Sequence, residues 1–201
     1  MKKPAIIYHD KSPFVAYYEN VANEKECQEL IDLATGRLQP SAVSGYSKKI
    51  LSNARKSEQA WFDHDFNENV QQVCERIASI VGQPLNHAEK LQVVRYQPGG
   101  KFDAHFDSFN VSSKLGRENL LKGGHRIYTA ILYLNTVNAG GETFFPDLSL
   151  EVSPFQGNLL VFENFNTKTN RLFSLARHGS RSLKAGEKWI TTLWFREKPQ
   201  Y

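Results

Sequence analysis

His105 and Asp107 flank Phe106 late in the strand-like stretch that begins near Lys101. In a strand, the period of two turns the imidazole and the carboxylate to one face while Phe106 packs on the other. A neutral nitrogen ligand beside an anionic oxygen ligand suits a divalent first-row metal. Two ligands leave such a site incomplete. His178 stands just before the final strand, where an antiparallel return can bring it beside the pair. Two histidines and one carboxylate on one face of an octahedron leave three positions open, the arrangement of non-haem Fe(II) oxygenases. The tripeptide alone is weak evidence, because a His–Asp pair at a strand end is commonly only a hydrogen bond. A second signal lies ten residues beyond His178: Lys188 follows the turn Lys184-Ala185-Gly186-Glu187 and leads into the apolar run 189–195. An unpaired ammonium among core residues costs several kcal/mol, so an anion should face it. Glu142, Glu163, a bound anion or escape of the charge to solvent would each meet that need.

The elements that must position these groups follow from periodicity. Asn23-Glu24-Lys25-Glu26 reads as a capping box, followed by Cys27, Leu30, Ile31 and Ala34 at helical spacing and by Gly36 as a stop. A second helix follows Asp63-His64-Asp65, with Val70, Val73, Cys74, Ile77 and Val81 on one face and Gly82 at its end. From Leu91 the period changes to two. Residues 91–96, 101–106, 126–135, 142–145, 158–162 and 189–196 read as strands, rich in β-branched and aromatic residues. Gln97-Pro98-Gly99-Gly100 and Asn138-Ala139-Gly140-Gly141 read as turns. The expected architecture is mainly β with flanking α-helices: antiparallel strands in a barrel or sandwich, buttressed by two helices. The connection 108–125, with Gly116, Gly123 and Gly124, has little periodicity and reads as a functional loop or lid.

The 201 residues suit one domain spanning 1–201, with a helical buttress at about 20–85 and a β core at about 88–197. A content of 12% aromatic residues excludes disorder as the main state, and no apolar run approaches the ~18 residues of a membrane span. The apolar stretch after Met1-Lys2-Lys3 is too short for a signal peptide, so the expected location is cytoplasmic. Cys27 and Cys74 are the sole cysteines and fall on helical core positions, giving neither a disulfide framework nor a zinc pattern. A net charge of +4, with Lys48-Lys49, Arg55-Lys56 and the Arg171, Arg177, Arg181, Lys184 group, reads as solvated faces before it reads as a nucleic-acid track.

From about residue 14 to residue 196, the chain resembles the collagen-type prolyl 4-hydroxylases among the Fe(II)- and 2-oxoglutarate-dependent oxygenases. The resemblance is carried by Leu91-Gln92-Val93-Val94-Arg95-Tyr96 leading into His105-Phe106-Asp107-Ser108-Phe109, and then by the run 126–135. It continues through Gly140-Gly141-Glu142-Thr143-Phe144-Phe145-Pro146, His178 and Gly186-Glu187-Lys188-Trp189. It implies a double-stranded β-helix (jelly-roll) core with His105, Asp107 and His178 as Fe(II) ligands. It implies that Lys188 pairs with the distal carboxylate of 2-oxoglutarate, helped by Thr129, with Tyr96 nearby. Arg55, Ser57, Glu89 and Arg126 match positions that contact peptide substrate in relatives. The implied reaction is hydroxylation of peptidyl proline with O2, coupled to decarboxylation of 2-oxoglutarate to succinate and CO2, with ascorbate as reductant. The size and the lack of a secretory signal fit a microbial or viral member. Rival readings are a hydroxylase of another residue or of a free amino acid, a nucleic-acid dealkylase, and a non-catalytic binding module. Two departures stand out: Phe102 where relatives commonly carry Tyr, and Gly179-Ser180-Arg181-Ser182-Leu183 after the distal histidine. His9, His64, His87 and His125 match no ligand position and read as structural or exposed.

Overall fold

The computed structural model describes residues 5–41 and 54–201. The first part of the chain holds β1 (Ala5–His9), β2 (Val15–Tyr18), α1 (Glu24–Thr35), β3 (Gln39–Pro40), β4 (Glu58–Phe62) and α2 (Glu68–Val81). Next come β5 (Leu91–Tyr96), β6 (Phe102–His105), α3 (Lys114–Gly123), β7 (Arg126–Tyr133), β8 (Thr143–Phe145), β9 (Leu150–Val152) and β10 (Leu159–Glu163). Two short strands, β11 (Phe165–Asn166) and β12 (Arg171–Leu172), precede β13 (His178–Ser180) and β14 (Lys188–Arg196). Every pairing between these strands is antiparallel. An eight-stranded sheet runs β1-β2-β10-β7-β14-β5-β4-β3, a four-stranded sheet runs β6-β13-β8-β9, and β11 pairs with β12.

Strand parity divides the core in two. On the outer face of the large sheet, Leu91, Val93, Ala130, Leu132, Leu193 and Phe195 pack against Cys27, Leu30, Val73, Cys74 and Ile77 of α1 and α2. The alternate residues of the same strands, Val94, Tyr96, Ile131, Tyr133 and Ile190, face inward and meet Phe145 and Val152 of the small sheet. The two helices form as their sequences specify. Asn23 and Glu26 make the reciprocal capping box of α1, and Asn67 caps α2 by accepting from the Val70 amide. Gly82 ends α2 in the left-handed region. The thiols of Cys27 and Cys74 are free and buried in this layer, and burial raises the Cys27 and Cys74 pKa values to about 11 and about 12.

The N-terminal part is more than a helical buttress, because β1 and β2 extend the large sheet on one side and β3 and β4 on the other. β2 is buried along its whole length. A strand covered on both faces shows no alternation, so its sequence carries no period-two signal. The 108–125 connection also differs from expectation, since it contains α3, capped by the Ser113 hydroxyl on the Gly116 amide. Its protected face is Leu115, Gly116, Asn119, Leu120 and Gly123, and two glycines and an asparagine among them leave no continuous apolar stripe to betray a helix. The 42–53 part of the chain, with Lys48 and Lys49, lies outside the described residues.

Gly157 ties β2, α1 and β10 together. Its carbonyl accepts from the Val21 and Ala22 amides, its φ is +78°, and an added Cβ would press on the Ala22 carbonyl. Gly157→Ala should therefore cost more than the ~1 kcal/mol of a typical substitution, read as a lower midpoint in urea unfolding with an unchanged slope.

Candidate active site

β6 and β13 pair so that His178 lies directly opposite His105. Asp107 follows β6 and completes a cluster whose ligand atoms all lie within 4.8 Å of one another. His105 Nδ1 meets the Asp103 carbonyl at 2.9 Å, and His178 Nδ1 meets the Ala176 carbonyl at 3.1 Å. A carbonyl only accepts, so both Nδ1 atoms carry hydrogen and Nε2 is the nitrogen each ring turns to the centre as a ligand atom. These Nε2 atoms lie 3.5 and 3.6 Å from the Asp107 carboxylate. The carboxylate is loaded on one side: Oδ2 accepts from Thr129 Oγ1 at 2.6 Å and from Trp194 Nε1 at 2.8 Å. Two imidazole lone pairs and a carboxylate oxygen therefore converge, and the donor set fits a divalent metal of the Fe(II) type. Burial pushes Asp107 up, but His178, His105 and Arg126 outweigh it and hold the carboxyl well below its usual range. Burial also pushes His178 down, to about 4, which keeps it neutral and ready to ligate.

Phe102 stacks face to face on His105, with centroids 3.6 Å apart, and the Arg55 guanidinium covers its other face at 4.7 Å. Where relatives commonly carry a tyrosine, this chain therefore has a ring that braces a ligand.

From this cluster a narrow slot runs between the sheets, lined by Ile131, Thr143, Ser180 and Ile190 and ending at Lys188. Lys188 is 1% exposed. Its Nζ donates to the Gly141 carbonyl at 2.5 Å and to Ser180 Oγ at 2.9 Å, with the Tyr96 and Tyr133 rings 5.3 and 5.8 Å away. Burial lowers its pKa to about 7, with Glu142 opposing the shift. Glu163 is engaged elsewhere, with the Phe14 amide and the Tyr128 hydroxyl. No carboxylate touches Lys188 among the described residues, so a cation waits at the closed end of an apolar slot.

Thr129 is at the other end. It pairs across the sheet with Trp194, six residues beyond Lys188, and its hydroxyl donates to Asp107 while accepting from Asn164. Thr129 lines the same slot as Lys188, with its hydroxyl engaged by Asp107 and Asn164. Tyr96 pairs with Lys188 across β5 and β14, and its hydroxyl meets Arg55 and Ser57.

On the outer side of the metal cluster lies an open groove of about 840 Å³, lined by aromatic and polar groups including Trp61, Phe106, Phe109, Arg55, Arg126 and Trp194. Arg126 lies 3.9 Å above the Trp194 ring and is held by both oxygens of Glu89 at 2.7 Å. Glu89 also takes Arg196, at 3.0 Å. Ser57 accepts from Arg55 at 2.9 Å. Glu89 and Ser57 line neither cavity and stand behind the two arginines. Sequence reasoning missed Trp194, Asn164 and Ser180. The alternation of β14 placed Trp194 on the same face as Lys188, but nothing local marked its indole as a partner of Asp107.

A profile of the 2OG-Fe(II) oxygenase superfamily matches residues 91–196. A protein of Acanthamoeba polyphaga mimivirus that bears a prolyl 4-hydroxylase name is 38% identical over 92% of this chain and 74% of its own length. The chain belongs to the prolyl 4-hydroxylase family of 2OG-Fe(II) oxygenases. Prolyl 4-hydroxylase 2 of Arabidopsis thaliana is 34% identical over 90% of this chain and 67% of its own. The viral collagen prolyl hydroxylase of Paramecium Bursaria Chlorella virus-1, solved as a 2OG complex, superposes with a TM-score of 0.72 at 25% identity, covering 90% of this chain and 95% of that one. The fold is accordingly the family's double-stranded β-helix. The enzyme is an Fe(II)- and 2-oxoglutarate-dependent dioxygenase, with His105, Asp107 and His178 as the facial triad.

Two outcomes follow. Trp194→Phe and Thr129→Val each strip one donor from Asp107 Oδ2 and should weaken metal binding roughly ten- to a hundredfold, measured by Co(II) titration of the folded variants. Lys188 binds fewer protons folded than unfolded between pH 7 and 10.5, so the cosubstrate-free protein gains stability as pH rises through that window. Lys188→Met should flatten that slope and raise stability at pH 7 by roughly 1–4 kcal/mol, read by thermal melts across the window.

Proposed function

We propose that this oxygenase hydroxylates proline residues within a peptide chain, coupled to decarboxylation of 2-oxoglutarate to succinate and CO2. The observation that carries the reading is the placement of the triad between a closed slot and an open groove. The slot suits a small dianion lying end-on: one carboxylate reaches the metal side and the other meets Lys188, with Ser180 beside it. The groove suits an extended chain, because a compact metabolite would leave most of its aromatic wall wet. A proline-rich segment is already close to polyproline II and loses little entropy on entering such a groove. Its carbonyls have no intrachain donors. Arg126, with Nη1 uncommitted among the described residues, and Arg55 would supply them, while Glu89 and Ser57 hold those arginines in place.

Bound Fe(II) supplies the oxygen-activating chemistry, with 2-oxoglutarate as the two-electron source and ascorbate as the external reductant that keeps the metal ferrous. The residues of this chain do the positioning. Thr129 and Trp194 fix the Asp107 carboxylate, Phe102 fixes the His105 ring, and the inner sheet faces exclude water from the slot.

The test is mass spectrometry of a proline decamer incubated with the Fe(II)-loaded enzyme and 2-oxoglutarate, where hydroxylation appears as a gain of one oxygen. Turnover of free amino acids with none on proline-rich peptides would overturn the peptide reading. Arg126→Ala should lower peptide turnover while leaving substrate-free 2-oxoglutarate decarboxylation largely intact. The Lys188 assignment has its own readout. A carboxylate partner raises the ammonium pKa from about 7, so binding above pH 7 takes up a proton and affinity falls as pH rises, by up to about tenfold per unit. Calorimetry at pH 8 in buffers of different ionisation enthalpy should report that uptake; its absence would place the carboxylate elsewhere.

A further inference from the structure

His125 sits at the far end of the groove, just before β7, and no ligand or catalytic role accounts for it. Its ring stacks on Phe165, with centroids 3.8 Å apart and planes 14° from parallel. Both rings line the same groove as His105 and Asp107. The backbone at His125 is pinned, since its amide donates to Glu197 Oε2 at 2.6 Å. The imidazole is half-buried and asymmetric. Nδ1 is enclosed and has no hydrogen-bond partner among the described residues, whereas Nε2 is not among the enclosed unpaired atoms and belongs to a ring that lines the groove. An enclosed nitrogen with no partner is tolerated better as a bare lone pair than as an orphaned N–H. The hydrogen therefore belongs on Nε2, as a donor aimed into the groove. Burial, with Arg196 nearby and Glu197 opposing, lowers the pKa of the ring and keeps it neutral.

We propose that His125 is a specificity-determining residue of the peptide groove, donating from Nε2 to a backbone carbonyl of the substrate well away from the reacting proline. The inference rests on the peptide reading above. Thr129 touches Asp107, and His125 lies four residues before it, roughly 13 Å along an extended chain. Polyproline II rises about 3.1 Å per residue, so this span corresponds to about four substrate residues. A tripeptide placed at the metal would not reach His125; a decamer would. Phe165 completes the subsite as the flat wall against which the imidazole is held, so the donor keeps one direction. A carbonyl that follows proline is the natural acceptor there, because polyproline II satisfies none of its own.

The test compares KM and kcat for a proline tripeptide and a proline decamer, using enzyme loaded with Fe(II) and 2-oxoglutarate. In the wild type the decamer should have the lower KM. His125→Phe keeps an aromatic ring against Phe165 but has no donor, and should shrink the decamer's KM advantage about five-fold, with kcat nearly unchanged. His125→Gln restores an N–H near the Nε2 position and should recover part of it. An undiminished advantage in His125→Phe, an equal KM loss on both peptides, or equal wild-type KM values for the two lengths would each overturn the proposal. Failure of the wild type to turn over either peptide would instead overturn the peptide reading on which it stands.

Discussion

Asp107 is a carboxylate taken out of water beside two imidazoles, and the structure around it is arranged to make that tolerable. Removing a carboxylate from solvent without partners costs several kcal/mol. Here Oδ2 receives two donors, from Thr129 on β7 and Trp194 on β14, and lies near His178, while Oδ1 is left toward His105. The two donors come from adjacent strands in direct register. The carboxylate's orientation thus depends on the pairing of the two central strands of the large sheet. A one-residue slip between them would turn either Thr129 or Trp194 to the helical side and take one donor from Asp107.

The same register polarises the chamber. Along β14, Lys188, Ile190, Thr192 and Trp194 share the inner face, so a cation stands at one end, an indole at the other, and an apolar floor lies between. The small sheet closes this space at the Lys188 end, where Leu183 and Phe145 pack on the strands opposite. It leaves the Trp194 end open to the groove. A small dianion and an extended chain can therefore approach one metal from different sides without competing for space. Buried charge gives the slot its selectivity at a cost in stability, a division of effort common where a site needs an uncompensated group.

Support for the groove comes from a third layer. Glu89 binds both Arg126 and Arg196, and Arg196 also donates to the Asn119 and Gly124 carbonyls at the end of α3. The segment that carries α3 over the groove is thereby fastened to the network that aims Arg126. Phe109 lies under both guanidiniums, at 5.2 and 4.6 Å.

The sequence by itself determined the chemistry-bearing residues and the local elements that hold them. Two helices, the capping box of the first, the period-two runs, the H-x-D pair, His178 and Lys188 were legible, because capping, alternation and ligand type are properties of near neighbours in the chain; the Asn67 cap of the second helix was not read. β2 and α3 were not: one is buried on both faces, and the other turns inward a face made largely of glycine and asparagine, so neither leaves an apolar period. Only the tertiary structure decided what each side chain does. Thr129 holds Asp107, Glu89 holds Arg126 from behind, and His125 lines the groove. The physical reason is register. Alternation tells which face a residue takes, but its partner is set by which residue of a distant strand lies opposite, and that pairing is fixed only when the sheet closes.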